Sequence, residues 1–265
     1  MVLAVPRALS SGWLVALVLL IWEVYARLRP SVFFPPLSEV LANFGTLWLS
    51  SDPGKLFMSD LLLEQAGISL GRFAAGWSLS VLVGTAVGVL LGRSPIASSM
   101  YNPTVRFFIA VPSTMLLPIA VQLFGVTSQM NISLVFLGTV WIIMINTADG
   151  VAGVDPMWLR SARSLQLGRW THYRRVIIPA AMPRIMTGLR VSLGTGLILM
   201  IISELYATTV GLGYQIVVAG NNFLYADMWS AFVLVGLIGI LLNSIFTLIE
   251  RRVLRWERRS GMADL

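Results

Sequence analysis

The sequence has no cysteine, one histidine (His172) and one lysine (Lys55) among its 265 residues. Without cysteine there are no disulfides and no thiolate metal sites, and a lone imidazole cannot assemble a histidine-based metal centre. There is no G-x-x-x-x-G-K-[ST] run, so ATP cannot be held in a P-loop by this chain. No paired carboxylate in one helical register and no Ser-His-acid set is spaced for catalysis. The chain is therefore not expected to be an enzyme or to bind a metal or cofactor. Charge is also scarce, at 12% of residues against roughly 25% in a soluble domain.

What is present is apolar surface. Hydrophobic residues make up 57% of the chain and the mean hydropathy is +0.81. A soluble globule of this size could not bury that much, and the apolar residues come in blocks near the ~20 needed to cross a bilayer. The blocks predict an all-α polytopic membrane protein, one transmembrane domain over 1–265, with six spans near 11–28, 68–92, 104–125, 131–150, 184–210 and 228–250. The first span runs through Trp13–Trp22 and lacks a small-x-small cleavage site, with Glu23 and Tyr25 following directly, so it is expected to remain as a helix rather than leave as a signal peptide.

An even number of spans puts both termini on one side. The basic tail Arg251, Arg252, Arg255, Arg258 and Arg259 marks that side as cytoplasmic. Fifteen arginines then fall inside: these five with Arg7, Arg93, Arg106, Arg160, Arg163, Arg169, Arg174, Arg175, Arg184 and Arg190. Four basic residues, Arg27, Arg29, Lys55 and Arg72, stay outside. The net charge of +7 thus reflects membrane orientation, not nucleic-acid binding. In the outer loop, about 29–67, Val40, Leu41, Phe44, Leu47 and Trp48 follow Phe33-Phe34-Pro35-Pro36 at helical spacing. They predict a short amphipathic helix packed against the spans.

Span two carries Gly76, Ser80, Gly84, Gly88 and Gly92 at four-residue intervals, a pattern that lets helix backbones approach closely in lipid and predicts a place inside the bundle. Span five repeats it with Gly188, Ser192 and Gly196. Pro112 and Pro118 interrupt span three, each removing a backbone donor. Gln122, Asn146, Ser203 and Glu204 are polar at or near membrane depth and are candidate lining residues for a translocation path. For each of them interhelical packing is the competing reading, and Glu204 could equally anchor an interface.

The loop between spans four and five, about 151–183, is the most organised polar segment. Asp155 is placed to cap a helix that opens at Pro156. Trp158, Ala162 and Leu165 stripe that helix, Gln166-Leu167-Gly168 supplies a turn, and Trp170, Tyr173 and Ile177 stripe a second helix predicted to end by Pro179. Arg163, Arg169, Arg174 and Arg175 cover the polar faces. Positive-inside bias alone would account for the arginines, but not for a capped helical hairpin with two tryptophans, a shape suited to docking in a partner's groove.

This segment resembles the cytoplasmic coupling loop of ABC importer permeases, whose pattern is Glu-Ala-Ala, three residues, Gly, nine residues, Ile-x-Leu-Pro. Arg160-Ser161-Ala162 stands at Glu-Ala-Ala, followed by Arg163, Ser164 and Leu165; Gln166 stands at the Gly; Val176, Ile178 and Pro179 stand at Ile, Leu and Pro. Further stretches, among them PPLSEVL, NTADGVAGVDP, ARSL with GRW through Arg169 and Trp170, and Glu204 through Gly211-Leu212-Gly213-Tyr214, resemble the nitrate, sulfonate, taurine and bicarbonate branch. The resemblance implies a type I permease fold and an importer of a small anion, with pyrimidine vitamin precursors as the alternative substrate class, in a bacterial-type inner membrane. It also implies separate ATPase subunits that carry ATP and Mg, a second permease copy, identical or paralogous, and an extracytoplasmic solute-binding protein. Arg160 reverses the charge at its position, and Gln166 must turn where the family has glycine, with Gly168 available two residues later. Two alternatives remain: an ATP-independent ion-coupled carrier or channel, and a degenerate permease with a structural or regulatory role.

Overall fold

A computed structural model describes residues 7–256, with eleven α-helices and no strand among the described residues. The tail residues Glu257, Arg258 and Arg259, and the side chain of Arg7, lie outside the described set. The chain forms two compact units, one of Met1–Gly67 with Val210–Gly236, the other of Ile68–Thr209 with Leu237–Leu265.

In the first unit, α1 (Arg7–Leu28) covers the first expected span and α2 (Leu37–Trp48) is the expected amphipathic helix. Val40 and Trp48 of α2 are buried, and the Trp48 indole N–H donates to Ser230 Oγ at 3.0 Å, so α2 packs rather than lying free. The Phe33-Phe34-Pro35-Pro36 run is held by two indoles: Trp22 donates to the Pro35 carbonyl and Trp229 to the Phe33 carbonyl, both at 3.0 Å. Phe34 sits 5.5 Å from Trp22 and 5.3 Å from Trp229, adding ring contacts to the two hydrogen bonds. Helix α10 (Leu212–Asn221) completes this unit with the opening turns of α3 (Asp60–Gly92) and α11 (Tyr225–Val253).

The second unit is organised around α6 (Ser128–Ala152). Four helical stretches among the described residues are long and apolar enough to cross a membrane: α3, α6, Arg169–Ala207 and α11. The apolar window of α6 is 56% buried and that of α3 only 22%. The expectation that span two lies inside the bundle is thereby corrected: α6 is inside, and α3 presents its small-residue stripe to it. Methyl groups added at Gly84, Gly88 and Gly92 would stand 2.9, 2.7 and 2.5 Å from the carbonyls of Val140, Met144 and Ala148. Gly76 meets Ile132 and Val135 in the same way, and Ser80 Oγ donates to the Phe136 carbonyl at 3.1 Å. The stripe thus fixes backbone proximity along the whole helix pair. α6 also packs extensively against α9 (Ile178–Ala207), where Gly188 abuts Asn146 and Gly196 abuts Thr139 and, from α3, Phe73.

The third expected span is not one helix. α4 (Pro95–Ala110) ends before Pro112, a short 3-10 turn covers Ser113–Leu116, and α5 (Leu117–Phe124) leaves at 85°. The residue before a proline is pushed out of the helical region, so the break falls at Val111-Pro112. Pro118 lies in the first turn of α5, where a missing donor costs nothing. Pro118 therefore opens a helix, and Pro112 bends the chain.

Candidate functional site

The loop 151–183 folds as the expected hairpin in its first half and departs from expectation in its second. Asp155 caps α7 (Pro156–Ser164), its carboxylate accepting from Met157 N at 2.7 Å, with Pro156 in the first turn. α7 ends in a Schellman motif: Gln166 N donates to the Arg163 carbonyl at 2.9 Å and Leu167 N to the Ala162 carbonyl at 3.2 Å. Gln166 is the left-handed residue of that motif, with φ +51°. The position at which the resembled pattern has glycine is thus the one where the backbone needs it, and Gly168 does not substitute, since its φ is −59°. A left-handed conformation costs a non-glycine residue roughly 1–2 kcal/mol.

After Gly168, α8 (Arg169–His172) winds into a π-helical segment over Tyr173–Ile177 and then directly into α9. The second short helix therefore does not end at Pro179. A proline cannot donate and its ring presses on the carbonyl four residues earlier, here Arg175. The wider π turn just ahead accommodates that conflict, so the helix runs through. The hairpin is rooted by a buried cluster of Val151, Val154, Ile177, Ala181 and Ile185, against which Leu159 and Tyr173 pack.

Above that root the hairpin exposes apolar surface. Trp158, Leu165 and Trp170 are 51%, 72% and 75% exposed, while Ala162 on the same stripe is buried. A groove of about 490 Å³ runs beside α7, lined by Trp158, Ser161, Ala162, Leu165, Leu167, Arg175, Val176, Pro179, Ala180, Pro183 and Trp256. Arg160, Arg163, Ser164 and Arg169 of the same hairpin are exposed and do not line it. Of the residues singled out in the sequence, Trp158, Ser161, Ala162, Leu165, Leu167 and Pro179 share this groove. Arg175, Val176 and Trp256 were missed as its lining; Trp256 is 73 residues beyond Pro183 in the chain, and no local pattern connects them.

The candidate path residues do not all meet: Asn146 stands apart from Ser203 and Glu204. Glu204 is fully buried and binds Arg72 Nη1 at 2.8 Å through one carboxylate oxygen and Ser69 Oγ at 2.7 Å through the other. Arg72 Nε also reaches Ser128 Oγ at 3.1 Å. Arg72, counted from the sequence among the outer charges, is instead 7% exposed and twelve residues inside α3. An acid of span five has thus found a base of span two, and Ser69 and Arg72, three apart on one helix face, were the signal that could have shown it. Asn146 lies opposite Gly188, sixteen residues and so about 24 Å along α9 from Glu204. Its amide donates to the Ile142 carbonyl at 2.8 Å. Ser203 Oγ donates to the Met200 carbonyl at 2.7 Å and is buried, whereas Gln122 is exposed on α5.

Long apolar helices, a proline-broken span and an exposed amphipathic hairpin between two packed spans define a multi-pass membrane protein of the permease class. Residues 80–259 match the family model described as binding-protein-dependent transport system inner membrane component, and the chain belongs to that family. It is similar to the taurine transport system permease protein TauC of Escherichia coli, with 32% identity over 251 residues covering 94% of this chain and 90% of that one. The nitrate import permease protein NrtB of Leptolyngbya laminosa is 32% identical over 75% of this chain and 71% of its own length. The bicarbonate transport system permease protein CmpB of Synechococcus elongatus is 30% identical over 89% and 86%. In fold it is similar to a chain of the MetNI methionine ABC transporter in an inward-facing conformation (TM-score 0.64, 20% identity, 74% of this chain and 99% of that one). It is also similar to a chain of a bacterial ABC transporter that imports alginate (TM-score 0.57, 15% identity, 93% and 98%). The protein is a transmembrane permease component of an ABC importer, with the fold of such permeases, and is not itself an enzyme.

Proposed function

We propose that this permease imports a small anion of the sulfonate, taurine, nitrate or bicarbonate kind, and that its α7–α8 hairpin is the element through which a separate ATPase, holding ATP and Mg, drives transport. The observation that carries the coupling reading is the capped hairpin itself. It has a buried root, a Schellman turn at the glycine position of the pattern, and an exposed tryptophan-lined groove of the size an amphipathic partner surface fills. The anion reading rests on the relatives named above. Both termini and the hairpin face the cytoplasm in this reading, in line with the arginine distribution. The separation of Asn146 from Glu204 within one chain supports a path completed by a second permease copy, fed by a solute-binding protein.

Arg160, exposed where the pattern has an acid, then meets a carboxylate on the ATPase. Ala162→Arg and Leu167→Asp test the coupling. Each is expected to abolish co-purification of the ATPase and ATP-driven uptake while leaving the permease in the membrane, and unchanged uptake would sink the assignment. A thermal-shift screen of the cognate binding protein against taurine, alkanesulfonates, nitrate and bicarbonate tests the substrate class, and stabilisation only by solutes that carry no anionic group would refute it.

A further inference from the structure

We infer that the arginine-bearing side of the hairpin is a binding site for a phosphate-bearing anion, the headgroup of an anionic phospholipid. A second cleft of about 490 Å³ lies there, lined by Arg93, Leu159, Arg163, Leu167, Arg169, His172 and Tyr173. Three guanidinium groups and an imidazole, from the end of α3, from α7 and from α8, surround it, and its lining includes no carboxylate. None of the three arginines is in an ion pair found among the described residues. Arg93 instead stacks its guanidinium on the Tyr173 ring, 4.9 Å from the centroid, which fixes its direction without neutralising it.

Position decides which anion. Arg93 directly follows Gly92, the last residue of the apolar helix α3, so the cleft opens at the level where a span leaves the hydrocarbon. That is the height of the lipid phosphates, and a basic pocket between helices at that height is suited to an anionic headgroup. Guanidinium groups provide bidentate donors for phosphate oxygens, and Leu159 and Leu167 offer an apolar wall for the glycerol and the first acyl carbons. The test of this site needs no transport readout, and its arginines line this cleft and not the apolar groove, with Leu167 the residue common to both.

The test titrates detergent-solubilised full-length permease with water-soluble dihexanoyl phosphatidylglycerol, with dihexanoyl phosphatidylcholine and inorganic phosphate as separate arms. Saturable, salt-sensitive binding of the phosphatidylglycerol is expected. Each arginine at an anionic lipid surface is worth about fivefold, so Arg93→Gln with Arg169→Gln should weaken binding at least tenfold. Arg174→Gln, in the same segment but outside the cleft, should leave it unchanged. If the double variant is unstable by thermal melting, Arg163→Gln alone should weaken binding several-fold. Competition by inorganic phosphate at comparable affinity would keep the site and assign its occupant as a free anion. Equal binding of the zwitterionic lipid, or full affinity in the cleft variants, would overturn the proposal. So would loss of ATPase binding in those variants with lipid binding intact, since the arginines would then serve a protein carboxylate.

Discussion

Replacing Arg72 with methionine should destabilise the permease by about 3–5 kcal/mol, yet replacing Arg72 and Glu204 together should cost little. The two charges meet at 2.8 Å with side-chain exposures of 8% and 0%. At an effective dielectric near 20 their attraction is about 6 kcal/mol, and withdrawing both ions from water costs several kcal/mol each. The pair therefore contributes little net stability, whereas breaking it strands a buried charge. Arg72→Met removes the counter-ion of the Glu204 carboxylate while the Ser69 hydroxyl stays on it, and Glu204→Leu removes the counter-ion of the guanidinium while Ser128 stays on it. Each single substitution should cost about 3–5 kcal/mol, and Arg72→Met with Glu204→Leu should lie within about 1 kcal/mol of wild type, as apolar replacement of buried pairs often does. Unfolding of the purified protein in mixed micelles with increasing dodecyl sulfate, followed by tryptophan fluorescence, supplies the four free energies. Additive single losses would refute the reasoning. If Glu204→Gln kept its unfolding free energy but abolished uptake, the carboxylate would belong to the translocation path instead.

Gln166→Gly should relieve a left-handed penalty of roughly 1–2 kcal/mol at the cost of up to about 1 kcal/mol in chain entropy. A local gain of about 0.5–1 kcal/mol should therefore appear as slower amide exchange at Leu167. Asp155→Ala removes the α7 cap and should cost about 1 kcal/mol, visible as faster exchange at Met157 and weaker ATPase binding. Gly88→Val should force α3 and α6 apart, because the new Cβ would stand 2.6 Å from Thr147 Cβ and 2.7 Å from the Met144 carbonyl. A loss of at least ~2 kcal/mol is expected, with poor membrane yield, while Gly71→Ala, where nothing lies within 4 Å, should leave folding unchanged.

Local chemistry explains why much was legible. Asp155, Pro156 and the run to Ser164 announce a capped helix because capping involves neighbours two and three residues away. The stripe from Gly76 to Gly92 announces a close helix contact because its period matches the helix. The same stripe is silent about which helix it meets, and it misled on which helix is central, since a face in contact on one side is compatible with a peripheral place. The end assigned at Pro179 failed because a π turn absorbs the missing donor, and nothing in residues 173–177 marks a π turn.

By itself, the sequence determined that this is a polytopic helical membrane protein without a P-loop or catalytic set, with a hairpin of coupling-loop spacing. Composition, period and spacing are properties of the chain alone. Only the tertiary structure decided that Arg72 answers Glu204 across 132 residues. It decided, too, that Gln166 holds the left-handed turn, and that Trp256 closes the groove beside α7. The physical reason is that a buried charge or an exposed indole constrains what it must meet but carries no record of where along the chain that partner lies. Packing around α6 makes the choice.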